Sequence, residues 1–347
     1  QILAPLGAVR ASHAYWNALL TDAYTPGPGP YFEGHVPRLR TREASVQRFF
    51  DFGVMTLLMA MKRDRDTGSG PNAYVTALAE SEYGPTTYLW DSVYASELLA
   101  TLDPPALRAI LERWAYQGVN RNLTVPYDRW DEIDLSVESG EPRGFGAGMF
   151  APGRFYAANS SSFFLAAWNY LGYTGDLEWL QKRVRGRSML EWLRQAVEWR
   201  QTRPQWNGLA HYGQEENTFD DDAVPGYEHW VAAPNVGDVW ISRRLADLYE
   251  TQAGDAERAA ALREEADRIA EALIEHLYDG EGEYAGTWKV RHEDGRFKKM
   301  RHVWDFGMAG SFLTEDLTAS QRQEMRDWFM GCCVRAGSDD VWIVAQD

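Results

Sequence analysis

Two joints in this chain are written almost alike, and they constrain the fold more than any other feature. "YTGDLEW" at 173–179 and "QAGDAER" at 252–258 each close a helical pattern on a glycine, Gly175 or Gly254. Each then opens the next with an aspartate, Asp176 or Asp255, and a glutamate, Glu178 or Glu257, follows in the first turn. Glycine tolerates the left-handed turn that ends a helix, and a short carboxylate accepts the free N–H groups that begin one. The joints therefore read as tight turns of helix hairpins.

The apolar spacing agrees. Val46, Phe49, Phe50, Val54, Leu57, Leu58 and Met61 recur at helical intervals, as do Leu262, Ala266, Ile269, Leu273 and Leu277. Thr318 and Gln321 form a capping-box pattern with Leu317 placed to staple it. About ten helices are expected, near 7–21, 43–62, 90–101, 105–117, 159–171, 176–199, 237–252, 256–278, 305–314 and 319–335. Strand signals are sparse. The clearest, in 284–300, reads as a hairpin turning at Asp294-Gly295. Long segments at 119–158, 203–234 and 279–304 alternate with the tight joints, so one face is loop-rich and suited to function. The expected fold is an all-α barrel of helix hairpins with a small β-hairpin, one domain over residues 1–347.

Composition narrows the partners. A formal charge of -16 argues against nucleic acid or an anionic membrane surface, either of which favours a basic face. No apolar run reaches the ~18 residues of a membrane span. No charged-then-apolar leader follows Gln1, and localisation stays open between cytoplasm and periplasm. Cys332 and Cys333 are adjacent and cannot build a disulfide framework. Aromatics make up 13% of the chain, and Trp90, Trp130, Trp206, Trp230, Trp288 and Trp304 fall in loops or at pattern edges. Rings there either pack the core or stack on a ligand with apolar faces, such as a sugar.

Residues 211–230, "HYGQEENTFDDDAVPGYEHW", crowd Glu215, Glu216, Asp220, Asp221, Asp222 and Glu228 among Tyr212, Phe219, Tyr227 and Trp230. The spacing fits neither a calcium loop nor His-Glu-x-x-His, so no metal and no cofactor is expected. "DRDTGSG" at 64–70 comes nearer a calcium loop but stops after two ligands. Carboxylic acids beside rings are partly desolvated, which raises their pKa toward the range of a general acid. A solvated acidic loop is the alternative. "YLWDSVYASELL" at 88–99 and "VWDFGM" at 303–308 each place a Trp-Asp pair where a helix begins, so Asp91 either caps its helix or binds sugar hydroxyls.

"WDS" at a helix start, a later Gly-x-acid motif, and "YEHWVAAPNVGDVWISRRLADLYETQAGDAERAAALREEADRIAEAL" together resemble a clan of (α/α)6-toroid glycoside hydrolases. It includes glycoside hydrolase family 63, the mannosylglycerate-hydrolase-like proteins and, more distantly, trehalases. The resemblance covers roughly residues 43–345, and the helix carrying Asn235 and Trp240 with its Gly-Asp joint is its strongest part. It implies an (α/α)6 toroid and an inverting, exo-acting hydrolase of α-linked glycosides. Gly213-Gln214-Glu215 occupies the frame in which relatives keep a glycine and, two residues on, their general acid. Glu215 is thereby the implied acid, with Glu216 and Asp220 as alternates, because His211 and Tyr212 stand where relatives have Glu-Ser. Trp90 and Asp91 would line the subsite of the non-reducing sugar and Asn235 would order its wall. Tyr88, Tyr212, Trp230 and Trp304 complete the candidate substrate-binding set. Inversion also needs a carboxylate base about 6.5–9.5 Å from the acid. Relatives keep theirs late in the toroid, in a context not found before Asp347. With about ten helices against the twelve of a closed toroid, the chain is expected to lack a last hairpin and that base. Were the base inside it, Asp339, Asp340 and Asp305 are the first candidates.

Rival readings fare less well. A terpene cyclase needs Asp-Asp-x-x-Asp, and after Asp220-Asp221 the last place holds Val224. A lyase of acidic polymers should carry a basic groove, which the net charge opposes. A scaffold should expose apolar stripes where 256–278 is charged. A non-catalytic carbohydrate-binding toroid stays open and differs by binding sugar without releasing it. The oligomeric state is not encoded in any feature.

Overall fold

The computed structural model describes residues 3–62, 73–74, 86–87, 89–117, 125–126, 157–214, 225–336 and 341–343. Among these lie ten α-helices: α1 (Leu3–Ala23), α2 (Ala44–Ala60), α3 (Leu89–Leu102), α4 (Pro104–Gln117), α5 (Asn159–Thr174), α6 (Met189–Glu198), α7 (Ala232–Leu248), α8 (Ala256–His276), α9 (Val303–Phe312) and α10 (Ala319–Cys332). Small antiparallel strand pairs punctuate them. No helix among the described residues is long and apolar enough to cross a membrane. The chain divides into two compact units. One comprises Gln1–Gly118, Leu123–Phe150 and Leu165–Met189, the other Val119–Asn122, Ala151–Phe164 and Leu190–Asp347.

In the first unit the turn between α3 and α4 is set by Asp103-Pro104-Pro105. The Asp103 carboxylate accepts the Tyr74 hydroxyl at 2.9 Å and the Ala106 N–H at 3.4 Å, while proline is preformed for a first helical turn. The first Gly-Asp joint folds as expected at its cap. Gly175 takes φ +68 and Asp176 accepts the Trp179 N–H. It is fastened to α4 as well: the Trp179 indole donates to Glu112 at 3.1 Å, and Arg108 bridges Glu112 and Asp176. The expected continuous helix over 176–199 does not form. A 3-10 turn at Leu177–Gln181 gives way to a two-residue hairpin, Arg183–Val184 with Arg187–Ser188, and α6 begins only at Met189. Arg185 and Gly186 at positive φ make the tight turn, which an uninterrupted helix cannot contain.

The second unit is organised around α7. Along it Val236, Val239, Ile241 and Leu245 are fully buried, and Val236 and Val239 pack with Ala266, Ile269 and Leu273 of α8 and with Leu313. The helix starts five residues before the expected 237. Pro234 in its first turn costs no hydrogen bond, because N–H groups there have no helical partner anyway. The second Gly-Asp joint has Gly254 at φ +64 and Asp255 capping Arg258. The capping box of Thr318 with Gln321 is present. The expected hairpin is there too, Thr287–Arg291 with Phe297–Met300, and Tyr278–Asp279 adds a third strand on its other side. Cys332 and Cys333 are free thiols.

Candidate functional site

Within the second unit, the loops before α7 and the tip of the 287–300 hairpin converge on a cluster of histidines, acids and rings. Asn235 holds the loop side. Its side-chain oxygen accepts the Ala210 N–H at 2.8 Å, and its amide nitrogen donates to the carbonyls of Ala210 and Val231. Leu209–Ala210 pairs with Gln205–Trp206 on one edge, and on the other a side-chain amide takes the place of a strand. The Tyr212 N–H donates to His229 O at 2.7 Å and the His229 N–H to Gly213 O at 2.6 Å. These bonds clamp together the two ends from which residues 215–224 leave and return. Gly213 sits at φ +88, open to glycine, whereas His229 adopts φ +66. A side chain in that region is strained by about 1–3 kcal/mol unless its surroundings fix it, and here both flanking bonds do.

The rings follow from this frame. His211 and His229 lie 5.0 Å apart between centroids, and His292 is 5.7 Å from His229. The His211 Nδ1 accepts the Gly213 N–H at 3.0 Å, which leaves Nε2 to donate to Glu293 Oε1 at 3.0 Å. Burial, and next the nearby His229, lower the His211 pKa, so the ring is neutral at pH 7. Glu228 Oε1 stands 3.0 Å from His292 Nδ1 and 3.8 Å from His229 Nδ1. Trp230 is packed against His211, and the Arg291 guanidinium lies between the Trp206 and Trp230 rings at 4.3 and 4.6 Å from their centroids. Such cation–π contacts are worth roughly 0.5–2 kcal/mol and hold the tip of the hairpin against the loop.

Two buried carboxylates lie beneath. Asp238 on α7 is bound by Arg200 at 3.2 Å and by the Tyr212 hydroxyl. Burial pushes its pKa up to about 6 against the pull of Arg200. Arg200 also meets Glu265 at 2.6 Å and so stays charged. Asp305 in the first turn of α9 accepts the Tyr227 hydroxyl at 2.5 Å and the Ala233 N–H at 2.8 Å. Desolvation pushes it up to about 7. His302, 3.9 Å away, is driven by burial down to about 4 and brings no positive charge at neutral pH.

Of the residues singled out in the sequence, Tyr212, Trp230 and Asn235 are brought into this cluster. Trp304 is part-buried beside Tyr227 and His302. Trp90 and Asp91 fall in the first turn of α3 in the other unit, and their side chains lie outside the described residues. So do Tyr88, Glu215, Glu216, Asp220, Asp339, Asp340 and the 64–70 loop. Sequence reasoning missed Arg200, Asp238, His292 and Glu293 as parts of one site. None has a spacing signal, since their charged or imidazole partners stand 38 to 82 residues away.

No family model matches the chain, and no curated protein matches it. Solved structures do. A rhamnosidase from Klebsiella oxytoca with rhamnose bound superposes with a TM-score of 0.54 at 17% identity, over 85% of this chain and 49% of that one. A GH78 family rhamnosidase of Bacillus sp. GL1 is matched at 0.49 and 16% identity, over 75% of this chain and 24% of that one. The chain thus spans about half the length of the first. At this identity the Klebsiella likeness shows the fold, an α/α-toroid type of helical architecture with small strand pairs, as expected from the hairpin joints.

Proposed function

We propose that this chain is a glycoside hydrolase that removes terminal α-linked sugars with inversion, Glu215 acting as general acid with Glu216 and Asp220 as alternates. The observation that carries this reading is the clamp of Tyr212 and Gly213 on His229. It tethers both ends of the acid-rich segment to a ring-lined cluster, in a fold shared with a rhamnose-bound rhamnosidase. Rings and the neutral His211 create the low-polarity surroundings in which a carboxylic acid keeps its proton at neutral pH. One oxygen of each buried carboxylate beneath, Asp238 Oδ2 and Asp305 Oδ1, takes its bonds from a tyrosine together with Arg200 or a backbone N–H, which suits both to holding loops. Rhamnosides enter as the first sugars to test because the Klebsiella protein holds rhamnose. Membership of glycoside hydrolase family 63, suggested by the residue pattern, is a narrower form of the same proposal, as is sugar recognition by Trp90, Asp91 and Tyr88.

The test is sugar release from a panel of α-linked rhamnosides, mannosides and glucosides, with nuclear magnetic resonance following the anomer first formed. Glu215→Gln should lower release from poor leaving groups by about 10²–10⁴ and affect activated aryl glycosides less. Sugar binding with no release by the wild type would favour the non-catalytic carbohydrate-binding alternative instead.

A further inference from the structure

We propose that Glu228, His229 and His292 form a binding site for one divalent transition-metal ion, with zinc as the best-suited occupant. The three side chains offer two imidazole nitrogens and a carboxylate oxygen, all within 4.8 Å of one another. Tetrahedral zinc with bonds near 2.0–2.1 Å sets its ligands about 3.3 Å apart. Here the Glu228 oxygen is 3.0 Å from one Nδ1 and 3.8 Å from the other, so closure needs only small side-chain shifts.

The independent pointer is the His229 ring. It is 6% exposed, and its Nδ1 is buried with no hydrogen-bond partner among the described residues. A buried polar atom left without a partner destabilises the fold, so a site that keeps one has a use for it. A metal ion in front of Nδ1 supplies the missing partner. The opposite ring nitrogen, Nε2, lies 3.2 Å from the Gln214 amide nitrogen. Side-chain amides are interchangeable end for end, and with its oxygen turned inward Gln214 would accept the Nε2 proton. A metal-bound histidine is usually held that way by an outer hydrogen bond.

A second grouping, His211, His229 and Glu293, is less suited. Both nitrogens of His211 are already engaged, and Glu293 is largely exposed. The proposed site leaves at least one coordination position for water or a ligand oxygen, as open zinc sites do. The set is assembled from a loop and a hairpin tip 64 residues apart, which is why no metal motif can be read in the sequence.

The test uses the full chain, stripped with chelator and titrated with zinc by calorimetry, then with cobalt for its visible spectrum. One equivalent should bind saturably, and bound cobalt should give the intense absorption of a four-coordinate ion. His292→Ala and Glu228→Gln should each weaken zinc binding at least about tenfold, and Gln214→Leu by about 10–100-fold through the outer hydrogen bond. Glu293→Gln, which alters the exposed acid of the second grouping, should leave binding unchanged. Because His229 is buried, circular dichroism must match wild type before any His229→Ala result counts, and the partly exposed His292 carries the decision. No saturable zinc in the wild type, or binding that survives His292→Ala or is lost with Glu293→Gln, overturns the site. The readout is bound metal, so the outcome is separate from whether sugars are cleaved.

Discussion

Asp238 and Asp305 occupy the same unit and the same depth, with side chains 4% and 2% exposed, and a tyrosine hydroxyl donates to each. What balances the charge differs. Asp238 faces Arg200, which is itself shared with Glu265. Asp305 meets no cation among the described residues: its neighbours are the Ala233 N–H at the positive end of α7 and a neutral His302. The pKa is accordingly about 6 at the first and about 7 at the second. Arg200 offsets part of the burial cost at Asp238, whereas Asp305 relies on a hydroxyl and the N–H groups of a helix start. The pairs also fasten different things. Arg200 and Asp238 join the end of α6 to α7 beneath Tyr212, while Asp305 joins α9 to the start of α7 beneath Tyr227.

The comparison can be broken most directly at Arg200. Arg200→Met leaves Asp238 and Glu265 without their buried cation and should cost about 3–5 kcal/mol in urea unfolding. A loss below about 1 kcal/mol would mean that Asp238 is protonated and the pair contributes little.

The tyrosines sharpen it. Tyr227→Phe removes one of the two donors to Asp305 and should cost about 1.5–3 kcal/mol, the range for hydrogen bonds to charged groups. Tyr212→Phe should cost less, because Arg200 still neutralises Asp238. Equal losses would deny the cation its role.

The effect spread over the widest range of conditions is in the pH dependence. The folded pKa of Asp305, about 7, lies above its unfolded value, so the folded chain holds a proton that the unfolded chain releases. This contribution is fully present below about pH 4 and is lost as pH rises through 7, with a slope of up to about 1.4 kcal/mol per unit. Asp238 acts with the same sign up to about pH 6. Asp238 titrates with the same sign and His302 with the opposite one in both proteins, so Asp305→Asn should lose less stability than the wild type between pH 5 and pH 7. A wild type that loses no more stability than Asp305→Asn from pH 5 to 7 would contradict the assignment at Asp305.

Much of the fold was legible in the sequence. Gly175 and Gly254, the caps of Asp176 and Asp255, the Thr318 box and the turn at Gly295 all stand where they were expected. Each depends on groups within about four residues, so the sequence alone contains both partners. Where that locality misled, a short competing signal prevailed: Arg185-Gly186 turned 183–188 into a hairpin inside a helical pattern, and Pro234 admitted an earlier start to α7.

The site is the opposite case. The sequence marked Tyr212, Trp230 and Asn235 as residues of interest, but it could not say that Asn235 would serve as a strand's missing edge. Nor could it say that Trp230 would pack on Arg291, or that His229 would keep a buried nitrogen without a partner. Helix ends and turns were determined by the sequence itself, because their hydrogen bonds close within a turn or two. The balance of buried charge and the gathering of His211, His229 and His292 were decided only by tertiary structure. Their partners lie tens of residues apart, and only packing of α7 against its neighbours brings them within 4 Å and strips away the water that would otherwise level their differences.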